Sequence, residues 1–532
     1  MKHWKPLKLE ELTVEQKLGL SMVAFVWSSY TTDLSYIDEL IKKRALGGVW
    51  VFPRPGEGVK NSNEMRKHWL ELADYPLISV VDAELGFGDK LIGRHNALAC
   101  VDSDDSAYAF GKVTATEAAR QGVNVICNPI LDLHKGGLET TLCGRISRTL
   151  GWDKYRVTEL AAAEARGLHD GGCLALAKHF PGTSETLDID AHMGETSSTR
   201  TKEELLETNL YPYIELDKMG LLDGVMLAHS RYTNIDPDYP TSLSKHMIQI
   251  LRDTGFDGVA LTDALHMMGA SAKFGHKQSL GLAVGNAAAM ALPFAHDNEQ
   301  CIKWLKECYD EGMIPDERLD KTVSDVIRMQ HRIMELPQNV EVTEKEWEDF
   351  NRINTDSVYA RVDEGLPVAL DRDGKYRFTV LTENGTPEAM HIETFTGKWY
   401  NPVHIGEKLK EYFPNSTVEY LDEFPTPNKV RDYLEAGELG AESVFVMYLA
   451  STAYAGVERY TPRMVSMMKA MQVSNGISTV LQFGNPFPLE ELPHIPRILI
   501  GTGSDKGVDA TLAVLAGELE AKGKMIYDVN FK

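Results

Sequence analysis

Short apolar runs alternate with amphipathic segments through residues 1–335 of the chain. Four amphipathic segments, 106–121, 154–169, 202–218 and 245–254, place apolar residues three and four positions apart and predict helices with one buried face. The apolar runs are short and bounded by turn residues, as expected for buried parallel strands. Eight of them are candidate strands, at 19–27, 47–52, 77–81, 123–128, 173–177, 224–228, 258–262 and 287–292.

Alternation of this kind is typical of βα units wound around a parallel sheet. Eight units within residues 1–335 fit a (β/α)₈ barrel of the TIM type, in which the strands form the inner ring and the helices the outer one. The pattern therefore predicts an α/β protein whose N-terminal domain is such a barrel.

A second α/β pattern follows a polar, acidic linker predicted at residues 336–370. Its candidate strands are separated by helical segments and lie at 377–382, 418–421, 444–449, 478–483 and 497–501. Residues 371–532 are therefore predicted to form a smaller domain, an open parallel αβα sandwich.

Length and composition agree with two globular domains. The chain has 532 residues, which is too long for a single core, and its 43% hydrophobic and 25% charged residues are typical of ordinary globular proteins. The net charge of −23 argues against nucleic-acid partners and anionic membranes, because a field of that sign repels phosphate groups. Neutral ligands are favoured instead.

The cysteines and the N-terminus predict a cytoplasmic location. The six cysteines include no Cys-x-x-Cys pair, and several lie in apolar runs, so we expect free thiols rather than disulfides. The first residues do not follow the basic-then-apolar order of a secretion signal, and no apolar run reaches membrane-spanning length.

Reactive side chains collect where the candidate barrel strands end. Asp82 follows the third strand, Lys178 and His179 the fifth, His229 the sixth and Asp263 the seventh. The carboxyl ends of barrel strands form the face on which these folds build active sites. This placement predicts an active site at that face.

The loop after the fifth strand closes on Asp190 and His192, two residues apart. In an extended step both side chains point the same way, so the carboxylate can fix the tautomer of the ring and raise the basicity of its other nitrogen. This pair is a candidate general acid/base. Two alternatives stay open at this point: Asp188, Asp190 and His192 are surface polar residues, or they form a weak metal site.

Three motifs resemble the signatures of family 3 glycoside hydrolases, in the branch of bacterial β-N-acetylglucosaminidases. They are Lys-His-Phe-Pro-Gly at 178–182, Asp-x-His at 190–192 and Leu-Thr-Asp-x-Leu-x-Met at 261–267. The resemblance implies that Asp263 is the nucleophile and that Asp190 with His192 supplies the acid/base. The chain departs from the family at Thr183 and Ser184, where the family has His-Gly.

The resemblance also implies the substrate-binding residues. These are Asp82, Arg145, Lys178 and His179, which would bind sugar hydroxyls, and His229, which would shape the pocket. Their alternatives are structural: Arg145 pairs with a surface acid, His179 is a core imidazole, and Asp263 caps the next helix.

The function implied is a retaining, exo-acting β-N-acetylglucosaminidase that needs no metal and no organic cofactor. Its substrates would be oligosaccharides or muropeptides that contain N-acetylglucosamine, with a role in cell-wall recycling. Because a neutral imidazole base does not repel anions, inorganic phosphate can compete with water.

Two other functions remain open on the sequence alone. One is a β-glucosidase or β-xylosidase of the same superfamily, in which Glu458 would be the acid. The other is a non-catalytic sugar-binding protein that kept the barrel.

Overall fold

The computed structural model describes residues 4–27, 34–52, 60–134, 148–182, 190–295, 297–382, 393–394, 397–398, 401–422, 424–449, 459–474 and 476–532. Contacts divide the chain into two units. The first comprises Met1–Lys90, Ala107–Leu133 and Asp153–Trp347, and the second comprises Leu91–Ser106, His134–Trp152 and Glu348–Lys532. The second unit thus includes two stretches from the N-terminal part of the chain.

A parallel sheet whose strand order follows the chain forms the centre of the first unit. Its strands are runs of buried residues, as expected when helices and barrel interior cover both faces. They are β1 (Val23–Trp27), β2 (Gly48–Phe52), β3 (Ile78–Val81), β4 (Val125–Ile126), β5 (Leu174–Phe180), β6 (Gly224–Leu227) and β7 (Val259–Thr262).

Two residues close this sheet into a ring. Met290 pairs with Leu261 of β7, and Ala291 pairs with Met22 just before β1. Both residues exchange backbone hydrogen bonds with their neighbours at 2.8 to 2.9 Å. The predicted eighth strand at 287–292 therefore occupies its expected place, reduced to this pair of bridges, and the prediction of a (β/α)₈ barrel is confirmed.

Helices surround the sheet, and most begin at a side-chain cap. Thr13 and Gln16 form a capping box, and the Asp153 carboxylate accepts the N–H of Tyr155. The helices are α1 (Val14–Leu20), α2 (Ser35–Lys42), α3 (Lys60–Leu72), α4 (Asp104–Arg120), α5 (Lys154–Gly171), α6 (Lys202–Glu207), α7 (Tyr211–Lys218), α8 (Lys245–Arg252), α9 (Met268–Gly285), α10 (Asn298–Asp310) and α11 (Asp316–Glu335), with 3₁₀ turns at Leu9–Glu11 and Thr241–Leu243.

One predicted helix is split. The segment predicted at 202–218 forms α6 and α7, which are separated by residues 208–210. Pro212 stands in the first turn of α7. Since proline has no N–H to donate and crowds the preceding turn, a helix restarts there more readily than it continues.

The second unit contains a six-stranded sheet with helices on both faces. Its strands are β8 (Tyr359–Val362), β9 (Tyr376–Thr382), β10 (Thr417–Asp422), β11 (Glu442–Leu449), β12 (Ile477–Gly484) and β13 (Arg497–Gly501), in the order β8-β13-β12-β11-β9-β10. Its helices are α12 (Glu344–Asp356), α13 (Pro402–Tyr412), α14 (Pro427–Glu438), α15 (Pro462–Val473) and α16 (Asp505–Leu515), with shorter turns at Ala97–Val101 and Phe487–Glu491.

Alternation along β11 shows how this sheet is covered. Val444 and Val446 pack into one apolar cluster with residues of α13 and α16, whereas Phe445 and Met447 pack into another with residues of α14 and α15. The predicted αβα sandwich is confirmed. Strand β8 was not predicted; it is a half-buried edge strand, antiparallel to β13, inside the stretch expected to be linker.

Three short strand pairs complete the secondary structure. They join Gly86–Phe87 to Lys90–Leu91, Thr196–Ser198 to Ser230–Tyr232 and Glu393–Thr394 to Gly397–Lys398. Across the described part of the chain, none of the helices is both long enough and apolar enough to cross a membrane.

Helices α4 and α5 touch at glycines. A Cβ added at Gly167 would lie 2.1 Å from the backbone oxygen of Tyr108, and one added at Gly111 would lie 2.1 Å from the backbone oxygen of Glu164. Backbone atoms cannot move aside as a flexible side chain can. The close approach of the two helices therefore requires glycine, which has no side chain, at both positions.

We expect Gly167→Ala to destabilise the first unit by about 2 kcal/mol, because overpacking against a backbone exceeds the gain in helix propensity. Denaturant unfolding measures the loss. Arg166→Ala, an exposed position on the same helix, is the control and should change the free energy of unfolding little. Equal stability of Gly167→Ala and wild type would show that the two helices are not in close contact.

Candidate active site

The barrel delivers the predicted residues to one face. Asp82 directly follows β3, and Asp263 directly follows β7. Lys178 and His179 lie near the C-terminal end of β5. Strand β5 runs to Phe180, three residues further than predicted, so these two side chains belong to the strand itself. Their positions are thereby fixed by the sheet rather than by a loop.

A buried ammonium joins two carboxylates at this face. Lys178 Nζ lies 2.5 Å from Asp82 Oδ1 and 2.5 Å from Glu84 Oε1, and the Lys178 side chain is 1% exposed. The paired carboxylates compensate the buried charge. The Asp82 side chain remains 46% exposed, so it can accept hydrogen bonds from a ligand hydroxyl. The role of Glu84 as the second partner was not predicted, although it follows Asp82 by only two residues.

His179 is held by a second carboxylate. Asp132 Oδ2 lies 2.8 Å from His179 Nδ1 and accepts the backbone N–H of His179 at 3.1 Å. Both side chains are buried. This bond fixes the proton on Nδ1 and leaves Nε2 as the nitrogen available to a ligand. Asp132 is thus an orienting residue, and it was not among the predicted site residues.

Asp190 holds His192 in the same way as Asp132 holds His179. Asp190 Oδ1 lies 2.7 Å from His192 Nδ1 and accepts the backbone N–H of His192 at 2.9 Å. Asp190 is 2% exposed, whereas the His192 side chain is 19% exposed. The carboxylate therefore holds the ring so that Nε2 can give or take a proton at a partly open position.

The pair belongs to a loop tethered to the start of α9. The N–H of Met268 donates to the carbonyl of His192 at 3.3 Å, and the N–H of Gly269 donates to the carbonyl of Ala191 at 2.8 Å. A Cβ at Gly269 would lie 2.8 Å from Cβ of His229. A glycine at this position therefore allows the start of α9 to lie against His229 and Ala191, which was not predicted from the sequence.

Asp263 is partly exposed, and its Oδ1 accepts the N–H of Ala264 at 2.7 Å. Burial alone would raise the pKa of this carboxyl, but the bond to Ala264 and three nearby imidazoles outweigh burial and lower the pKa to about 2. The imidazoles belong, in decreasing order of effect, to His229, His179 and His192. The carboxylate loses its charge only as the pH falls through about 2.

His229 is buried next to the turn that carries Asp263. Its Nδ1 is 2.7 Å from Ser242 Oγ and its Nε2 is 3.0 Å from the carbonyl of Ala264. Burial lowers the pKa of His229, so the ring is neutral; Nε2–H donates to Ala264 and Nδ1 accepts from Ser242. The structure thus places this predicted pocket residue as a support for the turn that carries Asp263.

Several predicted positions lie outside the described residues. These are Arg145, the Thr183–Ser184 departure, Asp188 and Glu458. Within the described part of the chain, no three His, Cys, Asp or Glu side chains come together as a metal site.

The arrangement can perform nucleophilic and proton-transfer chemistry. It offers an ionised carboxylate, an imidazole held in one tautomer by a buried carboxylate, and a cluster of donors and acceptors suited to hydroxyl groups. All of these groups come from the first unit and lie at or after the carboxyl ends of its strands.

Comparison with known proteins identifies the family of this chain. Residues 13–329 match the family model described as glycosyl hydrolase family 3 N terminal domain. A beta-hexosaminidase of Tolumonas auensis is 30% identical over 264 residues, which cover 48% of this chain and 77% of that protein. One of Pseudomonas aeruginosa is 35% identical over 241 residues, covering 44% and 70%.

Solved structures share the fold over 98% of this chain. A glycoside hydrolase family 3 beta-N-acetylglucosaminidase from Paenibacillus has a TM-score of 0.79 at 22% identity, and the match covers 100% of that chain. A beta-glucoside phosphorylase has a TM-score of 0.79 at 22% identity, with 94% of its chain covered. With the family match over residues 13–329, these findings show that the chain belongs to glycosyl hydrolase family 3 and is a glycoside hydrolase.

Proposed function

We propose that this enzyme is a retaining, exo-acting β-N-acetylglucosaminidase, which removes terminal β-linked N-acetylglucosamine by double displacement. The observation that carries the proposal is the pairing of an ionised Asp263 with a His192 ring held by Asp190, at the carboxyl end of the barrel. One group is a nucleophile that no proton blocks, and the other can supply the proton that the reaction needs.

In the first step Asp263 attacks the anomeric carbon and the glycosidic bond breaks. The leaving oxygen keeps the bonding electron pair and takes a proton from Nε2 of His192. In the second step His192 takes a proton from water, and the water oxygen displaces Asp263 from the sugar. Two inversions give net retention, and both groups return to their starting states.

The low pKa of Asp263 supports this division of roles. A carboxyl with a pKa of about 2 is a poor proton donor near neutral pH, so a different group must act as the acid. Asp190 supports His192 in that role, since its carboxylate binds Nδ1 and fixes the orientation of the ring.

The hydroxyls of the terminal sugar would be bound by the cluster at the ends of β3 and β5. Asp82 would accept from sugar hydroxyls, Lys178 would donate beside it, and Nε2 of His179 would accept from a further hydroxyl. Arg145 would add a further donor. Gripping one terminal ring in this way supports an exo mode of attack.

The substrates would be oligosaccharides or muropeptides ending in N-acetylglucosamine, because the matched relatives in Tolumonas auensis and Pseudomonas aeruginosa are named beta-hexosaminidases. We place the reaction in the cytoplasm and in cell-wall recycling. The five cysteines of the described residues are all free, which supports a reducing compartment.

Asp263→Asn should lower kcat roughly 10³-fold or more while leaving the fold intact, since the change removes the nucleophile and almost no volume. Asp257→Asn is the matched control, because that carboxylate precedes the same strand and its side chain is 70% exposed. Steady-state kinetics on an aryl β-N-acetylglucosaminide measure both variants. Near-normal activity of Asp263→Asn would remove this residue from the chemistry.

His192→Ala should lose roughly 10²- to 10⁴-fold in rate on sugar or alkyl leaving groups and far less on activated aryl groups, which depart without a proton. Azide should restore the second step and yield a β-glycosyl azide. His276→Ala, an exposed histidine on α9, is the control. If the enzyme were a β-glucosidase, this pattern would appear in Glu458→Ala instead, and glucosides would be cleaved faster than their 2-acetamido analogues.

Phosphorolysis is a second candidate activity. It is favoured by an imidazole in the role of base, because a neutral ring does not repel an anion, whereas a carboxylate would. One fold neighbour is itself named a beta-glucoside phosphorylase.

We expect inorganic phosphate to speed turnover of activated aryl substrates, for which the second step is slow. The product should be N-acetylglucosamine 1-phosphate of retained configuration, detected by phosphorus NMR. A rate and a product mixture that do not respond to phosphate would limit the enzyme to hydrolysis.

A further inference from the structure

Three aromatic rings stand at the catalytic face of the barrel without a role in the chemistry above. Trp27 ends β1, Phe52 ends β2, and Phe294 follows the bridging residues 290–291. The ring centres of Trp27 and Phe52 are 5.1 Å apart, and Phe294 lies 6.4 and 6.2 Å from them. All three side chains are partly exposed.

The order of strands separates these rings from the polar residues. Asp82, Lys178, His179 and Asp263 come from the arc of the barrel between β3 and β7. The rings come from the remaining arc, which consists of residues 290–291, β1 and β2. One half of the catalytic face is therefore built to bind hydroxyls, and the other half is aromatic.

His266 connects the aromatic half to the acid/base. Its ring stacks on Phe294 with centres 4.6 Å apart and an interplanar angle of 18°. His266 lies two residues before Met268, whose N–H donates to the carbonyl of His192 at 3.3 Å. Burial lowers the pKa of His266 to about 4. Nδ1 of His266 is buried and has no hydrogen-bond partner among the described residues.

Two exposed methionines flank His192. Met193, the next residue, is 65% exposed, and Met268, whose N–H bonds to the His192 carbonyl, is 41% exposed. Flexible thioether side chains of this kind adapt to apolar ligands.

We propose that Trp27, Phe52 and Phe294, with His266 at their edge, form the leaving-group subsite and receive the apolar face of a second sugar ring. The inference rests on the proposed function, because it takes His192 as the proton donor. The leaving oxygen must lie at His192, so the ring attached to it lies beside the groups that border His192. A pyranose presents C–H bonds on its faces, which suit aromatic rings.

Packing alone does not account for these rings. Phe25 fills the centre of the cluster, with its ring centre 3.7 Å from that of Phe294, and it is 1% exposed. The other three rings surround Phe25 and keep part of their surface accessible. A core needs only the buried ring, whereas a stacking platform needs the accessible ones.

The test compares Trp27→Leu with Trp27→Phe on three substrates. These are a β-linked disaccharide of N-acetylglucosamine, the p-nitrophenyl glycoside and N-acetylglucosaminyl fluoride, whose leaving group contains no ring. Trp27→Leu should lower kcat/KM roughly tenfold for the disaccharide and the aryl glycoside. For the fluoride, kcat/KM should stay within about twofold of the wild-type value. Trp27→Phe keeps a flat ring and should behave like wild type. Tyr155→Leu, an exposed ring on α5, is the control.

Each other outcome overturns the proposal in a distinct way. An equal loss on all three substrates would mean that Trp27 supports the barrel rather than a ligand. A loss on the aryl glycoside alone would assign the subsite to aromatic aglycones instead of sugars. No loss on any substrate would leave the rings outside the reaction.

The proposed function can fail separately. If wild type cleaves no N-acetylglucosaminide, the same three leaving groups are tested on β-glucose, since the subsite does not touch the 2-substituent. If Trp27→Leu lowers kcat/KM in that series only for leaving groups that contain a ring, the proposed subsite stands and the proposed N-acetylglucosaminidase activity is rejected. If neither series is cleaved, calorimetric binding of phenyl and methyl glycosides to wild type and Trp27→Leu decides the matter, and equal affinities would reject the subsite.

Discussion

The interaction on which the site depends is the one between the Asp263 carboxylate and its imidazole neighbours. A carboxylate in a partly buried position would ordinarily be driven toward its neutral form. Here the N–H of Ala264 and the rings of His229, His179 and His192 reverse that tendency. Because imidazoles gain positive charge in acid, they oppose protonation of Asp263 in the pH range where it would otherwise occur. The barrel brings these groups together from the ends of β5, β6 and β7 and from the loop after β5.

The loop that carries His192 is the part of the site that a barrel alone does not fix. Two N–H groups at the start of α9 bind the carbonyls of Ala191 and His192, so the loop and the turn after β7 are joined directly. Gly269 makes that approach possible, since a side chain there would meet His229. The turn that follows Asp263 and the loop that carries His192 are thereby joined by two backbone hydrogen bonds, which favours a constant geometry between them.

The sequence predicted the barrel well because its strands are short apolar runs whose ends coincide with polar residues. It predicted Asp190 beside His192 because that contact is local. It did not predict the pairing of Asp132 with His179, or the double ion pair of Lys178, because those partners are 47 to 96 residues apart and meet only in the folded barrel. Strand β8 escaped prediction for a related reason, since a half-buried edge strand of four residues has little apolar signal of its own. The aromatic half of the catalytic face also depends on tertiary structure, because its rings come from opposite ends of the first unit.

We infer that Asp263 forms a covalent bond to the sugar while His192 transfers the proton. The test uses a fluorinated N-acetylglucosaminyl fluoride. Its ring fluorine slows both steps by destabilising the positively charged transition states, while its fluoride leaving group keeps the first step fast. Mass spectrometry of the intact enzyme and of its peptides then locates the attached sugar. We expect one sugar per chain, on the peptide that contains Asp263, released when azide or a second sugar is added. A sugar attached to another carboxylate, or turnover with no covalent species at all, would contradict it.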